Sequence, residues 1–274
     1  MKANAIKRFT KQFLLLLILF FFSSVSVANK KIKVENVSAE VEVKGDVSPN
    51  MALKKCINDA KVEALRKAGV SESVKAQELL FTSEVNKDFK QFFSSNAQVE
   101  INGAVTNYEI LEQGMYINSL GSVMYKVTIN AEIMKYSTSS DYQFGVEVSG
   151  IAGSYVSGSE LAFSLVVTQD AYLTVFNITD QGSTILFPNT IEKSFKLNKL
   201  QKYSFPKELV YSLSNDSLTV ETNRLIFVVT KKEVDYLKTQ KDGTTTSFED
   251  IHSFIFNIPP DERVVEYKSF FITR

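Results

Sequence analysis

The stretch 161–189, LAFSLVVTQDAYLTVFNITDQGSTILFPN, decides the fold of the C-terminal half of this 274-residue chain. Apolar and polar side chains alternate over 161–167, and 171–178 is a second strand-like run. The residues at 179–182, Thr-Asp-Gln-Gly, are typical of a hairpin turn, and 183–187 is then the partner strand. Short strands at this spacing predict an antiparallel β-sandwich.

Further strands are predicted on both sides of this hairpin. Residues 144–148 alternate in the same way, and 225–230 (LIFVVT) is apolar on both faces, which is typical of a central strand. The last strand is predicted over 264–273. We place a linker at the polar segment 137–141 (STSSD) and a β-sandwich domain at 142–274.

One or two short helices are expected to interrupt this β pattern. Ser247 and Asp250 have the spacing of a capping box, with Asp in place of the usual Glu. Apolar side chains then follow at helical spacing, and Pro259-Pro260 ends the helix. Residues 233–237 are a second candidate helix.

The N-terminal part begins with a strand and a helix. Residues 37–43 alternate between apolar and polar, and Ser48-Pro49 is typical of a helix start, with Ser as the N-cap and Pro in the first turn. Apolar side chains then repeat at helical spacing, and Gly69 suits a left-handed C-cap. Cys56 lies on this apolar face, which favours a buried thiol over a reactive one or an intermolecular disulfide.

Another helix is predicted over 84–95, followed by two long strands at 99–112 and 121–135. We expect a turn over Gly114–Gly121 to join them. This order predicts an α+β module over 29–136, in which a helix lies on an antiparallel sheet. The fold class predicted for the whole chain is therefore α+β, with a mainly β C-terminal half.

Three segments of the N-terminal module resemble the N-terminal domain of the bacterial flagellar assembly protein T and related envelope proteins. They are NDAKVEALRKAGV (58–70), GAVTNYEIL (103–111) and YKVTINAEI (125–133). The shared pattern is a helix with alanines one turn apart, followed by a strand pair with glycine before the first strand. The resemblance implies a binding or assembly module rather than a catalyst.

The C-terminal half resembles, over 153–206, a widespread bacterial domain of unknown function found in exported and membrane-attached proteins. The signature positions are Asp170, Tyr172, Leu173, Phe176, Gly182, Leu186, Phe187, Pro188 and Asn189. The resemblance implies an Ig-like β-sandwich and no assigned activity.

A structural role for this signature is favoured by its chemistry. Pro188 cannot donate to a sheet ladder and so ends its strand, while Asn189 can hydrogen-bond the turn that follows. The alternative is that Tyr172 and Phe176 form a surface that stacks on a ligand or partner.

Residues 1–28 have the pattern of a secretory signal peptide. A basic segment precedes the apolar run FLLLLILFFF at 13–22, and small residues lead to a cleavage site between Ala28 and Asn29. The run is too short for a membrane-spanning helix, and no Cys follows it to carry a lipid. We therefore expect a periplasmic protein that is not a lipoprotein and has no transmembrane segment once the leader is removed.

Charge and composition exclude several classes of partner and site. Without the leader the chain carries 27 basic and 31 acidic side chains, which argues against nucleic acid and against docking on anionic lipid. A single Cys allows no disulfide within the chain and no multi-thiolate zinc site, and a single His leaves no two-histidine metal site. We expect no cofactor and no metal.

Catalytic motifs are also missing from the sequence. There is no GxSxG, no phosphate-binding glycine loop and no GxGxxG after a strand. His252 is the one possible imidazole base, and its position on the apolar face of the predicted helix favours a packing role. Carboxylates are plentiful, but no pair is recognisable as a glycosidase acid and nucleophile.

These observations predict an exported, non-enzymatic envelope protein that acts through protein–protein contacts, as an accessory or assembly subunit with other envelope proteins as partners. The alternative is a β-sandwich that binds small molecules or glycans. A third reading is a hydrolase that uses unrecognised carboxylates.

Overall fold

The computed structural model describes residues 29–45, 47–70, 103–179, 182–215, 219–234, 236 and 245–274. Within these residues the chain is mostly β-structure arranged in several sheets. The predicted leader at 1–28 and the predicted helix at 84–95 lie outside the described residues. The candidate helix at 233–237 lies only partly within them.

The N-terminal part contains a three-stranded antiparallel sheet and one long helix. Its elements are β1 (Lys30–Glu42), α1 (Pro49–Lys67), β2 (Gly103–Ile117) and β3 (Val123–Lys135). The strand order is β1-β3-β2, so β3 is central and β2 forms one edge.

Helix α1 begins and ends where the sequence predicts. The Ser48 side chain accepts a hydrogen bond from the Met51 backbone N–H, and Gly69 follows the C-cap with a φ of +71°. The inward face of α1 is rich in alanine, which lets the helix lie close to its neighbours because alanine adds only a methyl group. The buried residues of α1 share one core with those of β1 and β3: Ala52, Cys56, Ala60, Ala64 and Leu65 with Val37, Val127, Ile129 and Ile133.

The hairpin between β2 and β3 differs from the prediction. Gly114 does not begin the turn: it lies within β2 and pairs with Lys126. The turn lies at 118–122, where the Asn118 side chain accepts hydrogen bonds from the N–H groups of Leu120 and Ser122, both at 2.9 Å. Strand β2 therefore runs beyond its predicted end at 112, because an Asn side chain rather than the first glycine organises the turn.

The C-terminal part contains one larger and two smaller sheets. Its elements are β4 (Val146–Ser149), β5 (Ser154–Val156), β6 (Glu160–Leu161), β7 (Phe163–Val167), β8 (Tyr172–Ile178), β9 (Ser183–Phe187), β10 (Lys202–Phe205), β11 (Tyr211–Ser212), β12 (Val220–Thr230), β13 (Thr245–Thr246), α2 (Phe248–Asn257), a 3-10 turn (Pro260–Glu262) and β14 (Arg263–Thr273). The larger sheet has the order β13-β9-β8-β12-β14-β5, the second is β10-β7-β4, and β11 pairs with β6. The β5–β14 pair is parallel, and the other pairs of these sheets are antiparallel.

A single core fills the space between the larger sheet and the sheet β10-β7-β4. Phe163 of β7 contacts Phe205 of β10 and Phe227 of β12, with ring centroids 5.5 and 5.1 Å apart. Strand β12 lies between β8 and β14, and its residues 223–230 are all buried. The prediction of a central strand there is confirmed.

The opposite face of the larger sheet is covered by helix α2. Phe176 of β8 contacts Phe254 of α2 and Tyr236, with ring centroids 5.9 and 4.8 Å apart. These residues belong to the same hydrophobic cluster as α1 and the N-terminal sheet. One continuous core therefore includes residues from both sides of the predicted linker at 137–141, which the sequence did not indicate.

The predicted linker is also held by polar contacts to the C-terminal part. Thr138 donates a hydrogen bond to Asp261 at 2.6 Å, and Asp141 forms an ion pair with Lys231 at 2.6 Å. Hydrogen bonding to Lys231 is the largest of the effects that lower the pKa of Asp141 to about 2. The proposed division into two domains stays a prediction.

Candidate functional site

The nine signature positions lie on β8, on β9 and in the turns that flank them, and they divide by burial. Leu173, Phe176, Phe187 and Pro188 are buried, Tyr172, Leu186 and Asn189 are half-buried, and Asp170 and Gly182 are exposed. The two largest buried rings face different cores: Phe176 lies against α2, and Phe187 lies in the core between the sheets. The signature therefore spans both faces of the larger sheet.

Asp170 fastens the segment before β10 to the start of β8. Its carboxylate pairs with Lys196 at 2.8 Å and accepts a hydrogen bond from the Lys199 backbone N–H at 2.9 Å. The Lys196 hydrogen bond is the main cause of a lowered pKa for Asp170. Ala171 pairs with Leu197 beside it, so the described contacts of Asp170 connect two segments of the same domain.

Asn189 organises the turn after β9. Its side-chain amide donates to the Leu186 carbonyl at 2.7 Å, and its Oδ1 accepts from the N–H groups of Ile191 and Glu192 at 2.9 and 2.8 Å. Its own N–H donates to the Glu192 carbonyl. One side chain thus satisfies three backbone groups of the turn.

Glu192 is the residue of this region that the sequence analysis missed. It is 5% exposed, and its Oε1 accepts hydrogen bonds from the backbone N–H groups of Lys207 and Glu208. The Tyr211 hydroxyl donates to its Oε2 at 3.3 Å and to the Leu186 carbonyl at 3.0 Å. Burial, followed by the negative charge of Glu192, raises the pKa of Tyr211.

Aromatic rings fill the space between the Asn189 turn and β10. Phe195 contacts Phe187, Tyr203 and Phe205, with ring centroids 5.7 to 6.0 Å apart, and the Lys207 ammonium lies 3.6 Å from the centre of the Phe195 ring. Rings packed in this way fix the position of a turn and leave their faces covered. The geometry supports the structural interpretation of the signature.

Replacing Asn189 with alanine is expected to lower the free energy of unfolding by about 1–2 kcal/mol, because two backbone N–H groups lose their acceptor. Thr190→Ala, at the exposed neighbouring position, is the control and should change stability little. Urea unfolding followed by far-UV circular dichroism measures both.

The same variant tests the alternative of a ligand or partner surface. If Asn189→Ala and Tyr172→Ala keep their stability but lose a bound ligand or partner, the structural interpretation is wrong. We expect both variants to keep their partners.

The single His and the single Cys of the chain are both buried. His252 is 5% exposed, and burial, with smaller effects from Arg263 and Lys61, lowers its pKa to about 3. Cys56 is fully buried, its thiol donates to the Tyr125 carbonyl, and burial is the main reason that its pKa rises to about 11. A neutral, covered imidazole and a covered thiol are suited to packing and poorly suited to catalysis.

Side chains that could bind a metal ion are not grouped in the described residues. In the part of the chain with described positions, no three His, Cys, Asp or Glu side chains are grouped so that they could hold a metal ion.

Several exposed apolar side chains lie on the β2–β3 hairpin. We call this group the hairpin surface; it consists of Ile110, Leu111, Met115, Tyr116, Ile117, Leu120 and Val123. Leu120 is 88% exposed, Ile117 71% and Met115 56%. Large exposed apolar groups on a protein surface are typical of regions that contact another molecule.

Polar contacts fix part of this hairpin to β1. The Tyr116 hydroxyl donates to Glu40 at 2.7 Å, which raises the pKa of Tyr116, and Lys126 lies 3.8 Å from the same carboxylate. A shallow groove beside them is lined by Glu40, residues 112–116 and Lys126. The exposed side chains therefore lie on a hairpin that is held against β1 by contacts to Glu40.

The comparisons with known proteins concern the C-terminal half. Residues 154–232 match the family described as Domain of unknown function (DUF4384). The match supports a C-terminal domain of unknown function, and it includes the nine signature positions together with Glu192. The N-terminal resemblance and the signature itself stay predictions.

No curated protein matches this chain. Among the helices with described positions, none has the length and apolar character needed to cross a membrane.

Proposed function

We propose that this chain is an exported, non-enzymatic protein of the bacterial cell envelope that acts through protein–protein contacts, as an accessory or assembly subunit. The leader at 1–28 delivers it to the periplasm, with cleavage between Ala28 and Asn29. The observation that carries the proposal is the hairpin surface, an exposed apolar patch on the end of an ordered hairpin.

The hairpin surface has the composition of a contact region. It combines aliphatic side chains with Met and Tyr, which are enriched in protein interfaces, and it contains no Lys or Arg. Exposing Leu120 and Ile117 to water is unfavourable for an isolated chain, at about 25 cal/mol for each Å² of apolar area. Covering them with a partner recovers that free energy.

The rest of the molecule suits the role of a support. In this proposal the N-terminal part is a helix-on-sheet assembly module, and the C-terminal part is an Ig-like sandwich stabilised by the turns around Asn189 and Glu192. The shared core through α2 supports a rigid connection between them. Burial of His252 and Cys56 favours a role in protein–protein contact over a catalytic role.

The test is photo-crosslinking of the leader-bearing chain in its native host. A photoreactive amino acid is placed at Leu120 or at Ile117, and at Val210 as a control, since Val210 is 60% exposed but lies in the C-terminal part. We expect crosslinked species of higher mass from the two hairpin positions and few from Val210. Crosslinks at none of the hairpin positions would overturn the proposal.

Export is tested on the same cells. Fractionation should place the protein in the periplasm with an N-terminus at Asn29. An uncleaved precursor in the cytosol would contradict the envelope location.

A further inference from the structure

Strand β2 has an open edge beside the hairpin surface. β3 lies on one side of β2, and within the described ranges no strand pairs with the other side. Helix α2 contacts β2, but residues 111–117 are exposed. An exposed strand edge offers unpaired N–H and C=O groups that can bind another strand.

The hydrogen bonds of the hairpin identify the backbone N–H and C=O groups of β2 that point to the open edge. The Val123 carbonyl accepts a hydrogen bond from the Val43 N–H at 2.8 Å, so the backbone groups of Val123 face away from β2. Ile117 is paired with Val123, so its own N–H and C=O face away from β3. By the two-residue period of a strand, Met115 and Gln113 direct their backbone groups to the open edge as well.

The side chains of these three residues share the face of the sheet on which α1 packs. Gln113 pairs with Val127, which is buried in the core shared with α1, and Met115 and Ile117 follow at two-residue intervals. Gly114 and Tyr116 lie on the other face. Side chains along the open edge therefore alternate regularly between the two faces of the sheet over 113–117.

We propose that β2 pairs antiparallel with β2 of a second copy of this chain, with Met115 on the two-fold axis. In this register Met115 lies opposite Met115 of the second copy, and Gln113 lies opposite Ile117. The three outward residues of each chain then exchange six backbone hydrogen bonds, and the two sheets become one six-stranded sheet. This inference rests on the proposed function of the hairpin surface as a protein contact.

Charge distribution favours a second copy over a charged partner. Residues 113–120 (QGMYINSL) carry no ionisable charge at neutral pH, so two such segments meet without repulsion. Glu112 lies opposite Asn118 in the proposed register, which keeps the two Glu112 carboxylates at opposite ends. A basic peptide would find no carboxylate along 113–120.

Shape also fits the proposed register. Gly114 lies opposite Tyr116 of the second copy, and no atom lies within 4 Å of the position that a Cβ at Gly114 would occupy. The Tyr116 ring can therefore lie over the glycine, a cross-strand pairing that stabilises sheets. A two-fold contact of this kind closes on itself and produces a dimer rather than a filament.

The test is the mass of the chain 29–274 in solution, measured by analytical ultracentrifugation over a range of concentrations. We expect a dimer for the unmodified chain. Met115→Lys and Met115→Glu should each weaken self-association tenfold or more, because like charges then lie directly opposite each other. An equimolar mixture of the two variants should dimerise again, since Lys then faces Glu.

Two controls make the result specific. Val210→Lys, at an exposed apolar position of the C-terminal part, should leave the dimer unchanged. Far-UV circular dichroism and thermal unfolding of each Met115 variant establish that it is folded.

Several outcomes would overturn the inference. They are an unmodified chain that is monomeric at 100 μM, a Met115→Lys variant that still dimerises, and a mixture that does not recover. A monomer whose amides at 113, 115 and 117 resist hydrogen exchange would show that the edge is covered within the chain. If the chain is monomeric and Leu120 still crosslinks to a different envelope protein, the proposed function stands and the second copy is excluded.

Discussion

Replacement of Glu192 by alanine should lower the free energy of unfolding by about 3 kcal/mol. The carboxylate is buried and holds the N–H groups of Lys207 and Glu208 and the hydroxyl of Tyr211. Without it, two backbone donors lose a charged acceptor inside the protein, at about 1–3 kcal/mol each. The Tyr211 hydroxyl keeps the Leu186 carbonyl as an acceptor, so its contribution is smaller.

Chemical unfolding followed by far-UV circular dichroism suits the measurement, because the chain contains no Trp whose fluorescence could report it. Glu208→Ala is the matched control: it removes the same side chain at an exposed position and should change stability by less than about 0.5 kcal/mol. Glu192→Gln keeps an acceptor oxygen and should lie between the two. Equal stabilities for Glu192→Ala and Glu208→Ala would show that this carboxylate does not hold the turn.

The importance of Glu192 could not be read from the sequence. Its partners lie at 207, 208 and 211, so the contacts depend on how the segment after β10 meets the turn after β9. A glutamate between Ile191 and Lys193 in a predicted loop looks like any solvated charged residue. Asn189, by contrast, was predictable, because its partners are within three residues in the chain.

The same distinction between local and long-range contacts explains why several element boundaries were predicted correctly. Ser48 and Ser247 cap their helices through bonds to residues three positions away, and the capping box with Asp250 forms as predicted. The strand at 183–187 has the predicted limits. Local chemistry decides these features.

The arrangement of the sheets and the exposure of the hairpin surface could not be predicted from the sequence and are seen only in the structure. The parallel pair β5–β14 joins residues more than one hundred positions apart, and nothing in either segment indicates it. Alternation at Met115 and Ile117 looks the same whether the apolar side is buried or exposed, so their exposure could not be predicted. Placement of Gly114 inside β2 also depended on its pairing with Lys126.

Acidification below pH 6.5 should destabilise the protein through His252. The side chain lies on α2, is buried, and contacts the ring of Phe256, a residue of the core that joins both halves. Arg263 and Lys61 are the positive groups that act on it. Burial is the main reason that its folded-state pKa falls to about 3, against about 6.5 in the unfolded chain. Between these values the unfolded chain binds a proton that the folded chain does not, so stability is complete above pH 6.5 and falls as the pH decreases.

The size of this effect follows from the pKa difference. Each pH unit inside the window costs about 1.4 kcal/mol, so the contribution of His252 between pH 7.5 and pH 4.5 is about 2–3 kcal/mol. The chain has no other His, and therefore no other side chain has an ordinary pKa near 6.5.

His252→Gln isolates this contribution, because Gln is polar and does not titrate. We expect the free energy of unfolding of the unmodified chain to fall by about 2–3 kcal/mol more than that of the variant when the pH is lowered from 7.5 to 4.5. Carboxylates that titrate in the same range act on both proteins and cancel in the difference between them. Parallel pH profiles for the two proteins would mean that His252 is accessible to protons in the folded state, and the core that connects α1, α2 and the larger sheet would then be open to water.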